Sequence, residues 1–195
     1  MNAKVFFTVL ISLIVILLAV LFTDPATQKA VATTLGFNSN FTRVEPQSVD
    51  PGKIEIAKVR RVVDGDTIQL EDGRSVRYLN IDTPETVHPT KPKMCYGQEA
   101  KEANIGWVEG KEVQLVTDKN PTDKYGRDLR LVFLPGRDTG KIEESVNAAL
   151  VKGGFARASI YKDNPTFEKD FLKYEREARE ANIGAWKSCP KPFEE

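Results

Sequence analysis

The chain has 195 residues, enough for one ordinary domain and an appendage, and its 28 basic residues are matched by 28 acidic ones. That balance excludes binding to polyanions through net charge alone, so any such binding must come from local placement. A single histidine, His88, and two cysteines, Cys95 and Cys189, argue against a zinc cage and against most histidine-based triads.

Val5 to Phe22 is a run of 18 residues without a charge, preceded by Lys4 and followed by Asp24-Pro25. It approaches the roughly 20 residues a helix needs to cross a bilayer. A cleaved secretory signal has a shorter apolar region, and the nearest small-x-small pattern, Ala30-Val31-Ala32, lies well downstream. The expectation is a signal anchor or signal peptide over residues 1–22, with the rest of the chain exported. An anchored protein would be a single-pass membrane protein with its domain outside the cytoplasm; a cleaved one would be secreted. Residues 23–53 carry Pro25, Pro46, Pro51 and Gly52 without a sustained period and read as a polar linker. Asn40-Phe41-Thr42 matches the N-glycosylation pattern.

From Ile54 the apolar positions alternate. "KIEIAKVRRVV", "DTIQL" and "SVRYLNI" predict three strands, with Asp72-Gly73 as a two-residue hairpin turn between the last two. That register sets Ile68 opposite Arg77 and Asp66 opposite Leu79. It would place Asp66 and Arg77 among the aliphatic residues of one face, an acid and an arginine that need a reason to point inward. The third strand runs into "IDTPET", where Asp82 and Glu85 flank a turn stiffened by Pro84. "GQEAKEANIGWVEG" predicts a helix, "EVQLV" and "LRLVFL" two further strands, and "EESVNAALVKGG" and "PTFEKDFLKYEREAREAN" two more helices. Three strands, a helix, two strands and two helices is the order of an α+β fold built on a five-stranded OB barrel, occupying residues 54–195.

Asp66, Asp82 and Glu85 converge at one end of the hairpin, and Pro84 holds Thr83 extended so that its carbonyl can aim at the same point. Oxygen donors of this kind suit calcium or magnesium. An EF-hand reading of "DGDTIQLEDGRS" fails, because its fifth and twelfth positions are Ile68 and Ser75. "TDKYGRDL" adds Lys124, Tyr125 and Arg127 on a loop, and the planar fork of arginine suits phosphate oxygens.

Together "VDGDTIQL", "VRYLNIDTPET", "CYGQEA", "TDKYGR" and "SVNAALVKGGFA" resemble the thermonuclease, or staphylococcal-nuclease-like, family, from about Ile54 to Trp186. The resemblance implies a calcium-dependent phosphodiesterase that cuts DNA and RNA. By matching positions, Asp66, Asp82 and the Thr83 carbonyl would hold the metal. Glu85 would orient or deprotonate the attacking water, and Arg77 and Arg127 would bind the phosphate and its developing charge. Lys124, Tyr125 and Tyr161 would contact the nucleotide. Ser159 stands where the family has a second base-stacking tyrosine. Single strands are the preferred substrate on a shallow OB surface, and a monomer is expected. The alternative is a membrane-tethered OB module that binds nucleic acid or protein without cutting.

Cys95 precedes the first helix of the barrel and Cys189 follows the last. With the domain outside the cytoplasm, a disulfide between them is expected, two buried thiols being the other reading.

Overall fold

The structure, a computed structural model, describes residues 54–86 and 94–193. The apolar segment, the linker, the Asn40 pattern and most of the loop after Glu85 lie outside those residues. Among the described residues no helix is long and apolar enough to cross a membrane.

The elements run β1 (Glu55–Asp64), β2 (Thr67–Leu70), β3 (Ser75–Tyr78), β4 (Ile81–Asp82), α1 (Gly97–Val108), β5 (Glu112–Val116), β6 (Asp128–Phe133), a 3-10 turn (Ile142–Glu144), α2 (Val146–Lys152), β7 (Arg157–Ala158), α3 (Glu168–Glu180) and α4 (Ala185–Ser188). Five strands close a barrel in the order β1-β2-β3-β6-β5, and the two-residue β4 and β7 pair outside it. β3 and β6 run parallel, while β5 returns antiparallel to β1. The expected five-stranded α+β barrel and its three helices are all present.

β1 is long because it serves two neighbours. Its first residues pair with β5, and from Val59 onward it pairs with β2 across two register shifts. Alternation then fills the barrel with Ile68, Leu70, Val76, Leu115, Leu129, Leu131 and Phe133, all essentially buried. The apolar stripe of α3, with Phe171 and Tyr174, joins the same core as Leu150 and Val151 of α2. Ser145 caps α2 by accepting from the Ala148 amide at 3.0 Å.

The hairpin differs from the expected register by one residue. Asp72 Oδ1 accepts from the Arg74 amide at 3.0 Å, an Asx turn, and Gly73 takes φ 92°. The Leu70 amide therefore donates to the Arg74 carbonyl, which encloses a three-residue turn. Ile68 now faces Val76, and Thr67 faces Arg77. The slip follows burial: Val76 and Tyr78 go into the core, and Arg77 goes to the opposite face beside Thr67. Asp66 lies beside Tyr78 rather than Leu79, and accepts the Tyr78 amide at its carbonyl at 2.9 Å.

The third predicted strand is also shorter than the alternation suggests. Asn80, fully buried with φ 60°, breaks it. Its side-chain amide donates to the Asn164 carbonyl at 2.9 Å, while its oxygens accept from the Ser159 and Tyr161 amides. The chain after Asn80 is thereby drawn off the barrel to form β4 against β7, setting Asp82 opposite Arg157.

Candidate active site

Arg77 occupies the centre of the site, 7% exposed, with both ends of its fork engaged. Nη1 donates to the carbonyls of Tyr78 and Ile81 at 3.0 and 2.8 Å. Nη2 lies 3.0 Å from Asp66 Oδ2 and 3.0 Å from Asp82 Oδ1. β3 supplies the arginine, the β1–β2 turn supplies one acid, and β4 supplies the other. Burial alone would lower the arginine's pKa, but Asp66, Tyr161, Asp82 and Asp64 outweigh it and raise it, so the guanidinium stays charged. Asp66 is fixed further by Thr67 Oγ1 at 3.0 Å and by the Thr83 amide, which donates to Oδ2 at 2.9 Å.

Glu85 stands beside a further acid. It hydrogen-bonds with Asp64, whose carboxyl is pushed up by burial and then by Glu85, against the pull of Thr86 and the Gly65 amide. Thr86 Oγ1 donates to Asp64 Oδ1 at 2.6 Å. The Glu85 backbone is pinned by Met94, whose amide donates to the Glu85 carbonyl at 3.0 Å. Of the three acids expected to converge, Asp66 and Asp82 meet across Arg77, while Glu85 hydrogen-bonds Asp64. Among the described residues no group of three or more acidic, histidine or cysteine side chains is close enough to hold a metal as placed. The donor chemistry nevertheless suits a hard cation: the candidates are all oxygens, and Thr83 Oγ1 is buried among them without a partner. Gly65 makes room for it, since a Cβ there would stand 2.7 Å from that hydroxyl.

The second loop forms an open groove of about 530 Å³ whose lining includes Asn120, Lys124, Tyr125, Arg127, Tyr161 and Asn164. Asp123 shapes the loop by accepting the Tyr125 and Arg127 amides at 2.9 Å each. Its other oxygen takes Arg127 Nε at 2.7 Å. The two Nη groups of Arg127 make no hydrogen bond to the described residues, so the open end of this fork remains available. Tyr125 is 73% exposed, with the Arg127 guanidinium 5.6 Å and Lys124 Nζ 5.0 Å from its ring. Lys124, Tyr125, Arg127 and Tyr161 are therefore brought together as expected.

Two further residues are not apparent from sequence reasoning. Asp64 is the first acid of "VDGDTIQL", and its place one strand residue before the turn was the available signal. Arg157 carries no local signal. It belongs to the site because β7 pairs with β4, and its Nε and Nη2 donate to Asp82 Oδ2 at 3.1 and 2.9 Å. The cysteines form the expected bond, with the sulfurs 2.07 Å apart. It joins the turn before α1 to the end of α4.

Comparison with known proteins agrees with this geometry. The family described as "Staphylococcal nuclease homologue" matches residues 75–188. The chain is 37% identical over 131 residues to a thermonuclease of Staphylococcus intermedius, covering 66% of this chain and 74% of that one. It is 36% identical over 146 residues to the endonuclease YncB of Bacillus subtilis (strain 168), covering 72% and 66% respectively. The SPbeta prophage-derived endonuclease YokF of the same organism is 40% identical over 131 residues, 65% of this chain and 42% of its own length.

Proposed function

The chain belongs to the staphylococcal nuclease homologue family, and from that premise we propose that it is a calcium-dependent nuclease that hydrolyses phosphodiester bonds of DNA and RNA. The observation that carries the reading is the presence of two differently prepared arginines. Arg77 is buried between two carboxylates, and Arg127 is fixed by one edge with the rest of its fork open to a groove.

Phosphodiester hydrolysis needs an activated water and cancellation of the charge that grows on phosphorus. Asp66, Asp82 and the Thr83 carbonyl would hold the calcium. When bound, the ion supplies Lewis acidity toward the phosphate and lowers the pKa of the attacking water. Glu85 takes the proton from that water, with Asp64 hydrogen-bonded beside it to hold the carboxyl in place. Arg127 presents its free Nη groups to the equatorial phosphate oxygens, and Arg77 adds a second buried positive charge. Tyr125 offers an exposed ring on which a base can stack, which favours single strands over duplex. Export by the amino-terminal apolar segment, retention at the outer face of the membrane, and action as a monomer complete the proposal. The disulfide is compatible with an oxidising location.

The decisive experiment incubates the purified protein, stripped of metal, with single-stranded DNA, duplex DNA and RNA in calcium, magnesium or EDTA. Cleavage in calcium that EDTA abolishes supports the proposal, with single strands cut fastest. Undiminished cleavage in EDTA removes the metal role, and binding without cleavage points to a non-catalytic module.

A further inference from the structure

Asp82 stands on a strand of only two residues, and its side chain is 34% exposed, so little in its own neighbourhood fixes the carboxylate. Both oxygens are nevertheless held: Oδ1 by Arg77, and Oδ2 by two bonds from Arg157. Arg157 is itself 45% exposed, and an exposed ion pair of two mobile side chains ordinarily contributes little. Here a third contact removes the mobility. Arg157 Nη1 donates to the Phe193 carbonyl at 3.1 Å.

That carbonyl is in turn anchored. Phe193 is 5% exposed, and its ring lies 4.9 Å from that of Trp186. Cys189, four residues earlier, is fastened to Cys95. Phe193 also adopts φ 61°, a left-handed conformation that a bulky side chain takes only when its surroundings impose it.

We propose that Arg157 is a positioning residue for Asp82, and that the segment from Cys189 to Phe193 is the part of the fold that holds it in position. The inference rests on Asp82 being a calcium ligand. The fork keeps Oδ2 occupied and prevents the carboxylate from rotating when Oδ1 exchanges Arg77 for another partner. Lysine cannot replace arginine here, because one ammonium cannot address two carboxylate bonds and a carbonyl in fixed directions.

The test compares the wild-type chain, Arg157→Lys, a chain ending at Lys191, and the two changes combined. Calcium binding without nucleic acid is read by calorimetry, and folding by thermal melting. Arg157→Lys conserves charge, so a change in affinity reports geometry. We expect each single change to weaken calcium binding about tenfold, the scale for loss of a partner behind a metal ligand. The combination should weaken it scarcely further, since both act through one contact. Unchanged affinity, tighter binding, or additive losses would overturn the proposal. A metal-free readout separates this outcome from failure of the calcium assignment. The Arg157 Nε–H resonance should be sharp and slow to exchange in the full chain and broadened in the chain ending at Lys191. An equally protected signal in both rejects the role of the tail, even if the protein binds no calcium.

Discussion

Asp123 holds Arg127 by both ends of the residue, accepting its backbone amide at 2.9 Å and its Nε at 2.7 Å. The acid therefore sets where the chain leaves the loop and which edge of the guanidinium remains free. Asp123→Ala should lower kcat by about 10²-fold, the cost of a misplaced catalytic group, while the barrel melts nearly as before. The contact also sets an acid limit. Burial tends to raise the Asp123 carboxyl, but Arg127 and the loop amides prevail and hold it below the ordinary range. Its folded pKa is thus depressed, so its contribution is complete above roughly pH 4 and is lost as pH falls through the lower folded value. Loop order, followed by Tyr125 fluorescence or NMR, should fail in that window for the wild type, and Asp123→Ala should lack the transition.

The two arginines should respond differently to lysine. Arg127→Lys should cost about 10²–10³-fold in kcat with little change in melting, because the side chain is 32% exposed and only one edge of the fork is tied down. Arg77→Lys should cost activity and also about 3 kcal/mol of stability, since two carbonyls and two carboxylates lose a buried partner. Urea unfolding beside single-turnover rates separates these effects. Equal melting of the two variants would contradict the placement of Arg77.

Gly65→Ala tests the Thr83 hydroxyl. The added methyl would lie 2.7–2.9 Å from Thr83 Oγ1, Cβ and Cγ2, so Thr83 must move. Calcium affinity, measured directly, should fall by an order of magnitude or so. Gly106→Ala, where a Cβ meets nothing within 4 Å, should leave affinity intact and stabilise α1 by about 1 kcal/mol.

Cys95 and Cys189 are separated by 94 residues, and the bond between them limits the unfolded chain over most of the domain. The loop-entropy relation allows roughly 4–5 kcal/mol of stabilisation, less any native strain. Denaturation with and without reductant should show the difference. Two cysteines alkylated in the non-reduced protein would refute the bond.

Much of the architecture was legible because burial imposes a period. The alternation that opens β1 and the stripe in α3 follow from one buried face, β6 reads as a continuously buried strand, and together they suffice for a five-stranded barrel with its helices. The site was legible where several charged residues share a short stretch, as in "IDTPET" and "TDKYGR". Register was not, because Asp72 could close a turn of two or three residues and only the fit of Val76 and Tyr78 in the core decides. The strand break at Asn80 depends on partners some 80 positions away, at Tyr161 and Asn164. Arg157 is an ordinary arginine until β7 is set against β4.

The closure of the barrel also orders events during synthesis. β1 must await β5, and β3 must await β6, so no barrel exists until Phe133 has left the ribosome. The acids from Asp64 to Glu85 emerge first, Arg127 follows on the β5–β6 connection, and Arg157 and then the segment at Phe193 come last of these. Chains grow at about 5–20 residues per second, so seconds separate the first acid from the last contact to Asp82. Throughout that interval Asp82 lacks Arg157 and, for its first part, the chain lacks Arg127, while the growing chain is held beside a messenger RNA. The topology thus postpones assembly of the phosphate-cutting site until the residues through Phe193 have been made.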